Sequence, residues 1–207
     1  MGDKPCLVLG TGNRKKAIEL TALFSPLGLI VETLADYADP IEVDETGTTF
    51  AENAALKASQ QARHLDRWVL GEDSGLAVDV LDGAPGVYSA RFSGPGATDV
   101  KNNAHLLAQL DGVSLESRAA HYVCHMTLCD PTGQIMAETE GICRGRIVSE
   151  PRGTNGFGYD PLFELVEYHR TFGQLGPIVK SCLSHRGRAA RQMVPLLARL
   201  LESGRWC

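Results

Sequence analysis

The segment from Gly10 to Lys16 (Gly-Thr-Gly-Asn-Arg-Lys-Lys) combines small residues with three consecutive cations. Residues 6–10 are apolar and predict a short buried strand, and the residues after the segment have the apolar spacing of a helix. Amides at a helix start, together with the positive end of the helix dipole, bind phosphate well. Three cations in a first turn are unfavourable unless an anion lies beside them. The segment therefore indicates a phosphate site, with a tight turn bearing solvated lysines as the alternative.

Acidic residues follow in two places along the chain. Glu42, Asp44 and Glu45 precede an alanine-rich helix, and Glu72 and Asp73 follow a short predicted strand. Carboxylates on two loops at strand ends can share a hard cation, and Mg²⁺ often takes one or two carboxylates plus substrate phosphates. One carboxylate can also activate a water molecule. These residues indicate a magnesium site, although helix-start preferences and ordinary surface turns explain the same acids without a metal.

Three further groups of side chains are suited to a nucleotide. The loop 156–161 reads Gly-Phe-Gly-Tyr-Asp-Pro, which supplies an aromatic face for a base and a polar group for its edge. Lys180, His185 and Arg186 precede the last predicted helix, where they can donate to a carbonyl oxygen on a base. Lys57 lies two turns into the alanine-rich helix. Each group also has a structural explanation: a packed turn, a structural histidine, or a lysine that reaches solvent along the helix surface.

The elements at the start of the chain predict an α/β fold, because a strand, a turn, a helix and a second strand follow one another. Asn13 is placed to cap the helix, and Pro26 and Gly28 close it. A second strand is expected over 29–34. The apolar face of the helix repeats at helical spacing in Ala17, Leu20, Phe24 and Leu27.

The next elements are expected to carry the acidic residues. Thr49 and Glu52 form a capping-box pattern at the start of a helix. The apolar stripe of this helix is alanine, so we expect it to pack closely on its neighbour; its members are Ala51, Ala54, Ala55, Ala58 and Ala62. A short strand over 67–70 then leads into an acidic turn over 72–75.

The second half of the chain predicts a structured loop over 83–96, a helix from Thr98 or Asp99 to Leu110, strands over 118–129 and 134–146, a glycine-rich loop over 153–163, and a last helix after Gly187. A turn joins the two strands, which predicts an antiparallel hairpin.

His121 and His125 resemble zinc ligands in the sequence. In a strand they would lie about 13 Å apart, too far to share one ion.

Composition limits the classes of protein that fit. The chain has 207 residues and a net charge of −5, which predict one domain over residues 1–207 without the basic stripe of a stable nucleic-acid binder. No apolar run approaches the roughly 20 residues that span a membrane. The N-terminus lacks the apolar core of a signal peptide. Six cysteines without a Cys-x-x-Cys pair are expected to be free thiols. We therefore expect a cytoplasmic protein with no membrane partner.

Taken together and in order, these segments resemble the inosine triphosphate pyrophosphatase family, also called the Ham1-like or non-canonical purine triphosphate pyrophosphatases. The similarity extends over almost the whole chain. Each motif alone is weak, but six in the same order are specific. They are Thr11-Gly12-Asn13-x-x-Lys16, residues 45–54 with Lys57, Asp73-Ser74-Gly75-Leu76, residues 83–91, Phe157-Gly158-Tyr159-Asp160-Pro161 and Ser184-His185-Arg186.

The resemblance implies an α/β fold with an elongated, long mixed β-sheet flanked by helices, two lobes with a central cleft, a homodimer and a Mg²⁺ requirement. It also implies a role for each matching residue. The triphosphate would be held by Thr11, Gly12, Asn13, Arg14, Lys15 and Lys16, with help from Lys57. Glu45 and Asp73 would hold the metal, and Asp73 would accept a proton from water. The remaining substrate residues would be Ser74, Phe157, Gly158, Tyr159, Asp160, Lys180, His185 and Arg186.

The implied reaction is hydrolysis of ITP, dITP and XTP to the monophosphate and pyrophosphate, which cleanses the nucleotide pool. Water attack on the α-phosphorus needs neutralised charge more than covalent help. Donors aimed at a 6-oxo oxygen, near His185 and Arg186, would be left unpaired by the amino group of adenine. Three alternatives stay open: a Maf-like pyrophosphatase for other triphosphates, a catalytically silent nucleotide-binding module, and a nucleic-acid-binding protein. Two positions depart from the family pattern, Glu72 and Val179.

Overall fold

The computed structural model describes residues 4–206, and its strands form one mixed sheet. The strands are β1 (Cys6–Leu9), β2 (Ile30–Thr33), β3 (Val69–Val78), β4 (Ala119–Cys129), β5 (Ile135–Ile147), β6 (Phe163–Leu165) and β7 (Arg170–Thr171). Their order across the sheet is β2-β1-β3-β4-β5-β6-β7. β1 is parallel to β2 and β3, whereas β6 is antiparallel to β5 and β7. This open mixed sheet confirms the predicted α/β class.

Five α-helices flank the sheet: α1 (Arg14–Phe24), α2 (Phe50–Leu65), α3 (Asp99–Gln109), α4 (Pro177–Leu183) and α5 (His185–Glu202). Asn13 and Thr49 cap the first two helices through their side chains, as the sequence predicts. Thr98, one of the two predicted candidates, caps the third. None of the helices within residues 4–206 is long and apolar enough to span a membrane.

The chain divides into two compact units, and β3, β4 and β5 each contribute to both. The first unit comprises residues 1–73, 124–141 and 186–207, and the second comprises residues 74–123 and 142–185. Each unit has its own apolar cluster. The first includes Leu20 and Phe24 of α1 with Met193 of α5, and the second includes Phe163 and Phe172.

β3 organises the first unit because side chains alternate between the two faces of a strand. On one face, Leu70 packs in the same cluster as residues of α1 and α5. On the other face, Val69 packs with Ala58 and Ala62 of α2. β1 ends beside Leu70, where the Gly10 amide donates to the Leu70 carbonyl oxygen at 2.9 Å. Residues 71–73 of β3 therefore extend past the carboxyl end of β1, where open α/β sheets place their ligands.

The predicted acidic turn over 72–75 is wrong, because β3 continues without interruption to Val78. Acidic residues usually mark exposed turns, but Glu72 and Asp73 are buried here among cations contributed by distant segments. The last helix begins at His185, two residues before Gly187, and Pro195 lies inside it. The short helix α4 was not predicted.

The predicted hairpin is confirmed. β4 and β5 are neighbours in the sheet, and the Asp130 amide donates to the Gln134 carbonyl oxygen at 3.0 Å across the turn that joins them. A connection this short permits only antiparallel pairing, since a parallel pair needs a crossover. His121 and His125 both lie on β4.

The close packing expected of the alanine stripe is tested by Gly71→Ala. A Cβ at Gly71 would overlap the Ala54 carbonyl oxygen and lie 2.6 Å from the Ala58 amide nitrogen of α2. Overpacking of this kind costs about 2 kcal/mol. We expect the urea midpoint of Gly71→Ala to fall accordingly. Gly176→Ala is the control, because its Cβ would meet nothing within 4 Å. A Gly71→Ala protein as stable as the wild type would contradict this packing.

Candidate active site

The loop before α1 has the geometry of an anion site. Asn13 adopts an extended conformation, and its Oδ1 accepts from the amides of Lys15 at 3.0 Å and Lys16 at 3.2 Å. The Asn13 amide in turn donates to Thr11 Oγ1 at 3.2 Å. The first turn of α1 contains Arg14, Lys15 and Lys16 and no acid. An anion beside this turn would be stabilised by both the helix dipole and the side chains.

Asp73 lies on the α2 face of β3 and has two partners from that helix. Its Oδ1 is 2.8 Å from Lys57 Nζ, and its Oδ2 accepts from Asn53 Nδ2 at 3.3 Å. Lys57 Nζ also lies 3.3 Å from Glu45 Oε1. Glu45 and Asp73, which the sequence places in different segments, therefore flank one ammonium group.

Asn53 contacts two of the predicted site segments, although the sequence analysis included it in a motif without assigning it a role. It is fully buried, and its Oδ1 accepts from the Gly47 amide at 2.8 Å while its Nδ2 donates to Asp73. One amide thus joins the loop that carries Glu45 to the strand that carries Asp73. The capping box ahead of α2 was the available signal, because it fixes where Asn53 lies on the helix.

The surroundings of Asp73 make it a stronger base than a solvated aspartate. Burial raises the pKa of its carboxyl group, although the neighbouring Lys57 charge opposes this. Burial would lower the pKa of Lys57, but the charge and hydrogen bond of Asp73, together with the charges of Glu72 and Glu45, outweigh it and the pKa is raised. A carboxylate with a raised pKa accepts a proton more readily, which suits the activation of a water molecule.

The donors around Lys57 also fit a hard divalent cation. Glu45 and Asp73 both present carboxylate oxygens, and Lys57 shows that a positive group is accommodated between them. Among residues 4–206 no group of three or more His, Cys, Asp or Glu side chains is arranged as a complete metal site. Mg²⁺ commonly takes one or two carboxylates and completes its shell with water and substrate phosphates, so two carboxylates are a sufficient protein contribution.

Glu72 lies on the opposite face of β3 and has different partners. Its Oε2 is 2.9 Å from Lys16 Nζ, its Oε1 is 3.0 Å from Arg186 Nη2, and Cys124 Sγ donates to Oε1 at 3.3 Å. Burial alone would raise the pKa of the Glu72 carboxyl group, but the Arg186 and Lys16 charges hold it well below its usual range. The prediction that Glu72 and Asp73 belong to one acidic turn is therefore wrong.

Arg186 joins three elements of the first unit. Its Nη1 donates to Glu19 Oε2 on α1 at 2.6 Å, and its Nη2 donates to Glu72 on β3. The side chain is almost completely buried. Glu19 was not identified from the sequence, because a glutamate on a helix face ordinarily reads as a solvated residue.

A second group of predicted residues is brought together in the second unit. Asp160 Oδ2 accepts from the Phe157 amide at 2.7 Å and is 2.7 Å from Lys180 Nζ. Lys180 Nζ also lies 4.6 Å from the centroid of the Phe157 ring. Gly156 has φ of +76°, and a Cβ there would overlap Asp160 Oδ2. Only glycine therefore permits this closure of the loop.

The remaining predicted residues of this unit have varied surroundings. His185 stacks on Tyr122 with ring centroids 4.5 Å apart and planes inclined by 8°. Tyr159 is buried, and its hydroxyl donates to the Ser89 carbonyl oxygen at 2.8 Å. The Gly158 carbonyl oxygen accepts from Asn103 Nδ2 at 3.0 Å. Ser74 is half-buried on β3. Tyr122 was not identified from the sequence.

The loop before α1 is cationic, and the buried Asp73 carboxylate is held with Lys57 and Glu45. These features are those of a phosphate-handling protein with an open α/β sheet. The chain belongs to the Ham1 family, whose family model matches residues 7–196.

Relatives and solved structures agree with this membership. The chain is 52% identical over 197 residues to a dITP/XTP pyrophosphatase of Rhodopirellula baltica, with 95% of each chain covered. It is 49% identical over 187 residues to a dITP/XTP pyrophosphatase of Exiguobacterium, covering 90% of this chain and 94% of the relative. A HAM1 protein from Coxiella burnetii superposes with a TM-score of 0.86 at 34% identity, covering 94% of this chain and 99% of that chain.

Asp160→Asn tests the buried pair in the second unit. Asparagine removes the charge that faces Lys180 where both side chains are nearly inaccessible, and breaking such a pair costs about 3 kcal/mol. We expect the free energy of unfolding in urea to fall by that amount and to recover in part in the double variant with Lys180→Met. Asp82→Asn is the control, because Asp82 is exposed at φ of +51°, which asparagine tolerates. Equal stability of Asp160→Asn and the wild type would contradict the pairing.

Proposed function

We propose that this chain hydrolyses non-canonical purine nucleoside triphosphates, with ITP, dITP and XTP as substrates, to the monophosphate and pyrophosphate. It is a nucleoside triphosphate pyrophosphatase that removes triphosphates with faulty bases from the nucleotide pool. The observation that carries the proposal is the buried Asp73 carboxylate beside Lys57 and Glu45, in a chain 52% identical to a dITP/XTP pyrophosphatase.

The triphosphate is the ligand of the loop before α1. Thr11, Gly12 and Asn13 shape the loop, and Arg14, Lys15 and Lys16 supply charge at the helix start. Lys57 adds a cation beside Asp73. Several positive groups in one place are needed because charge accumulates on the phosphate oxygens during phosphoryl transfer.

Glu45 and Asp73 would hold Mg²⁺. When bound there, Mg²⁺ neutralises charge on the reacting phosphate and the departing pyrophosphate. Asp73 would take the proton of the attacking water, and its contacts with Asn53 and Lys57 hold the carboxylate in place for this role. Asn53 fixes the second carboxylate oxygen of Asp73 and so orients the group that accepts the proton.

The purine base is the ligand of the second group of residues. Phe157 presents an aromatic face beside the Lys180 ammonium, and Asp160 fixes both. Ser74, Gly158 and Tyr159 shape the surroundings, and His185 is held in one orientation by its stack on Tyr122. His185 would donate toward the 6-oxo group, with Lys180 beside the base. The resemblance also places Arg186 near that group, and its guanidinium is held by Glu19 and Glu72. Adenine places an amino group there, so buried donors lose their partner and ATP is rejected.

We also propose that the protein is a cytoplasmic homodimer, which is what the family resemblance supports. Light scattering of the eluting peak in size-exclusion chromatography should give twice the mass of the chain. A peak at the mass of one chain would contradict the dimer.

Asp73→Asn tests the proton acceptor. Asparagine keeps the shape of the side chain but cannot take the proton, and loss of a general base lowers kcat about 10²- to 10⁴-fold. The measurement is pyrophosphate release from ITP with Mg²⁺. Asp66→Asn is the matched control, because Asp66 is the exposed C-cap of α2 at φ of +53°. Retention of wild-type kcat in Asp73→Asn would exclude this role. Wild-type turnover of UTP equal to that of ITP would instead favour a Maf-like specificity.

Glu45→Gln tests the metal site separately from the base. The substitution removes one anionic oxygen donor and should raise the Mg²⁺ concentration for half-maximal rate about tenfold, with kcat at saturating Mg²⁺ less affected. A titration of ITP hydrolysis with Mg²⁺ measures this shift. Glu140→Gln is the control, since the Glu140 side chain is exposed on β5. An unchanged Mg²⁺ requirement in Glu45→Gln would contradict its assignment as a ligand.

A further inference from the structure

Glu72 is the centre of a buried charge cluster that the reaction described above does not use directly. Its side chain is fully enclosed, and its two oxygens meet Lys16 of α1, Arg186 of α5 and the Cys124 thiol of β4. The adjacent Asp73 projects from the other face of β3, toward Asn53 and Lys57 of α2. The two neighbouring acids of one strand therefore serve two different sets of cations.

The energetics of this cluster argue for a role beyond stability. Burying a carboxylate costs several kcal/mol, and the attraction of paired cations does little more than repay it. Apolar residues of similar size would fill the same volume at no electrostatic cost. The Glu72 carboxylate instead fixes the positions of two cationic groups, the Lys16 ammonium and the Arg186 guanidinium.

A fixed position matters most for Lys16, because a flexible lysine loses side-chain entropy when it binds a ligand. A lysine in an exposed first turn samples many rotamers and pays that entropy when it binds a ligand. Here Lys16 Nζ is held 2.9 Å from Glu72 Oε2, and only 14% of the side chain is exposed. Neighbouring Arg14 and Lys15 are exposed on the same turn. Lys16 is thus the cation of that turn whose position the strand dictates.

Arg186 also pairs with Glu72, so the same carboxylate fixes a side chain of a second helix, α5. It bridges Glu72 to Glu19, one turn along α1 from Lys16. One carboxylate therefore joins the start of α5, the middle of β3 and the first turns of α1. Displacing that carboxylate would remove the Glu72 contact of both cations, leaving Arg186 its bond to Glu19.

We propose that Glu72 is a positioning residue for the triphosphate: it orients Lys16 toward the phosphates and anchors Arg186, without touching substrate or metal. The inference rests on the proposed phosphate role of Lys16. It assigns the two acids of β3 separate tasks, with Asp73 acting in the chemistry and Glu72 holding the cations in place.

A double-mutant cycle between Glu72→Gln and Lys16→Met tests the inference. The probe is inorganic tripolyphosphate as a competitive inhibitor of ITP hydrolysis, since it reports phosphate binding without a base. We expect each single variant to raise the inhibition constant about tenfold. The double variant should be no worse than Lys16→Met alone, because Glu72 acts through Lys16. The Mg²⁺ concentration for half-maximal rate should stay unchanged in Glu72→Gln.

Glu164→Gln is the matched control for loss of a buried carboxylate. Glu164 is also enclosed, and it pairs with Arg146 at 2.5 Å and Arg152 at 3.7 Å, neither of which is a predicted substrate residue. This variant should lose stability but keep the inhibition constant of the wild type. Glu72→Met keeps the length of the side chain and removes its charge, so it serves if Glu72→Gln does not fold, with the same expected loss of tripolyphosphate affinity.

The possible results separate the two proposals. If Lys16→Met binds tripolyphosphate as the wild type does, both the phosphate role of Lys16 and the positioning by Glu72 are wrong. If Lys16→Met weakens binding but neither Glu72 variant does, only the positioning is wrong. Independent, multiplicative effects in the double variant would reduce Glu72 to a structural residue. A raised Mg²⁺ requirement in Glu72→Gln would make it a metal ligand and overturn the inference.

Discussion

A buried charge needs an opposite charge beside it. The first unit is built around two buried carboxylates of one strand, β3, both of which are paired with cations from the neighbouring helices. Glu72 and Asp73 are consecutive residues of β3, so the pleat directs them to opposite faces. α1 and α5 supply Lys16 and Arg186 on one face, and α2 supplies Lys57 on the other. The helices that cover β3 thereby bring the cations that a polyphosphate ligand also needs.

The second unit also contains a buried carboxylate paired with a cation, but the surroundings of the pair differ. Asp160 and Lys180 are both nearly inaccessible and pair at 2.7 Å, but their neighbours are aromatic rings rather than further charges. Asp160 also closes its own loop by accepting from the Phe157 amide. A rigid aromatic and polar surface results, suited to the flat face and polar edge of a purine, whereas the first unit is suited to phosphate and metal.

Local rules predicted much of this structure. Asn13, Thr49 and Thr98 act through neighbours three residues away at most, so the first two were predicted as caps and the third was one of two candidates, with Asp99. The hairpin of β4 and β5 likewise depends on a short turn. The acidic turn over 72–75 was predicted wrongly because its true character depends on Lys16, Lys57 and Arg186, which are distant in sequence. Glu19 and Tyr122 were missed for the same reason: their partners, Arg186 and His185, lie far along the chain. Motif similarity named the candidate site residues, but their faces of the sheet and their partners depend on contacts between distant segments, which motifs do not contain.

The central claim is that Asp73 and Glu45 bind the metal while Glu72 holds cations. Its most direct test is anomalous scattering from crystals grown with Mn²⁺, a substitute for Mg²⁺, and a non-hydrolysable ITP analogue. The account predicts a manganese peak coordinated by Glu45 and Asp73 oxygens and by the phosphates, with Glu72 still bonded to Lys16 and Arg186. A peak coordinated by Glu72, or one that neither Glu45 nor Asp73 contacts, would contradict it.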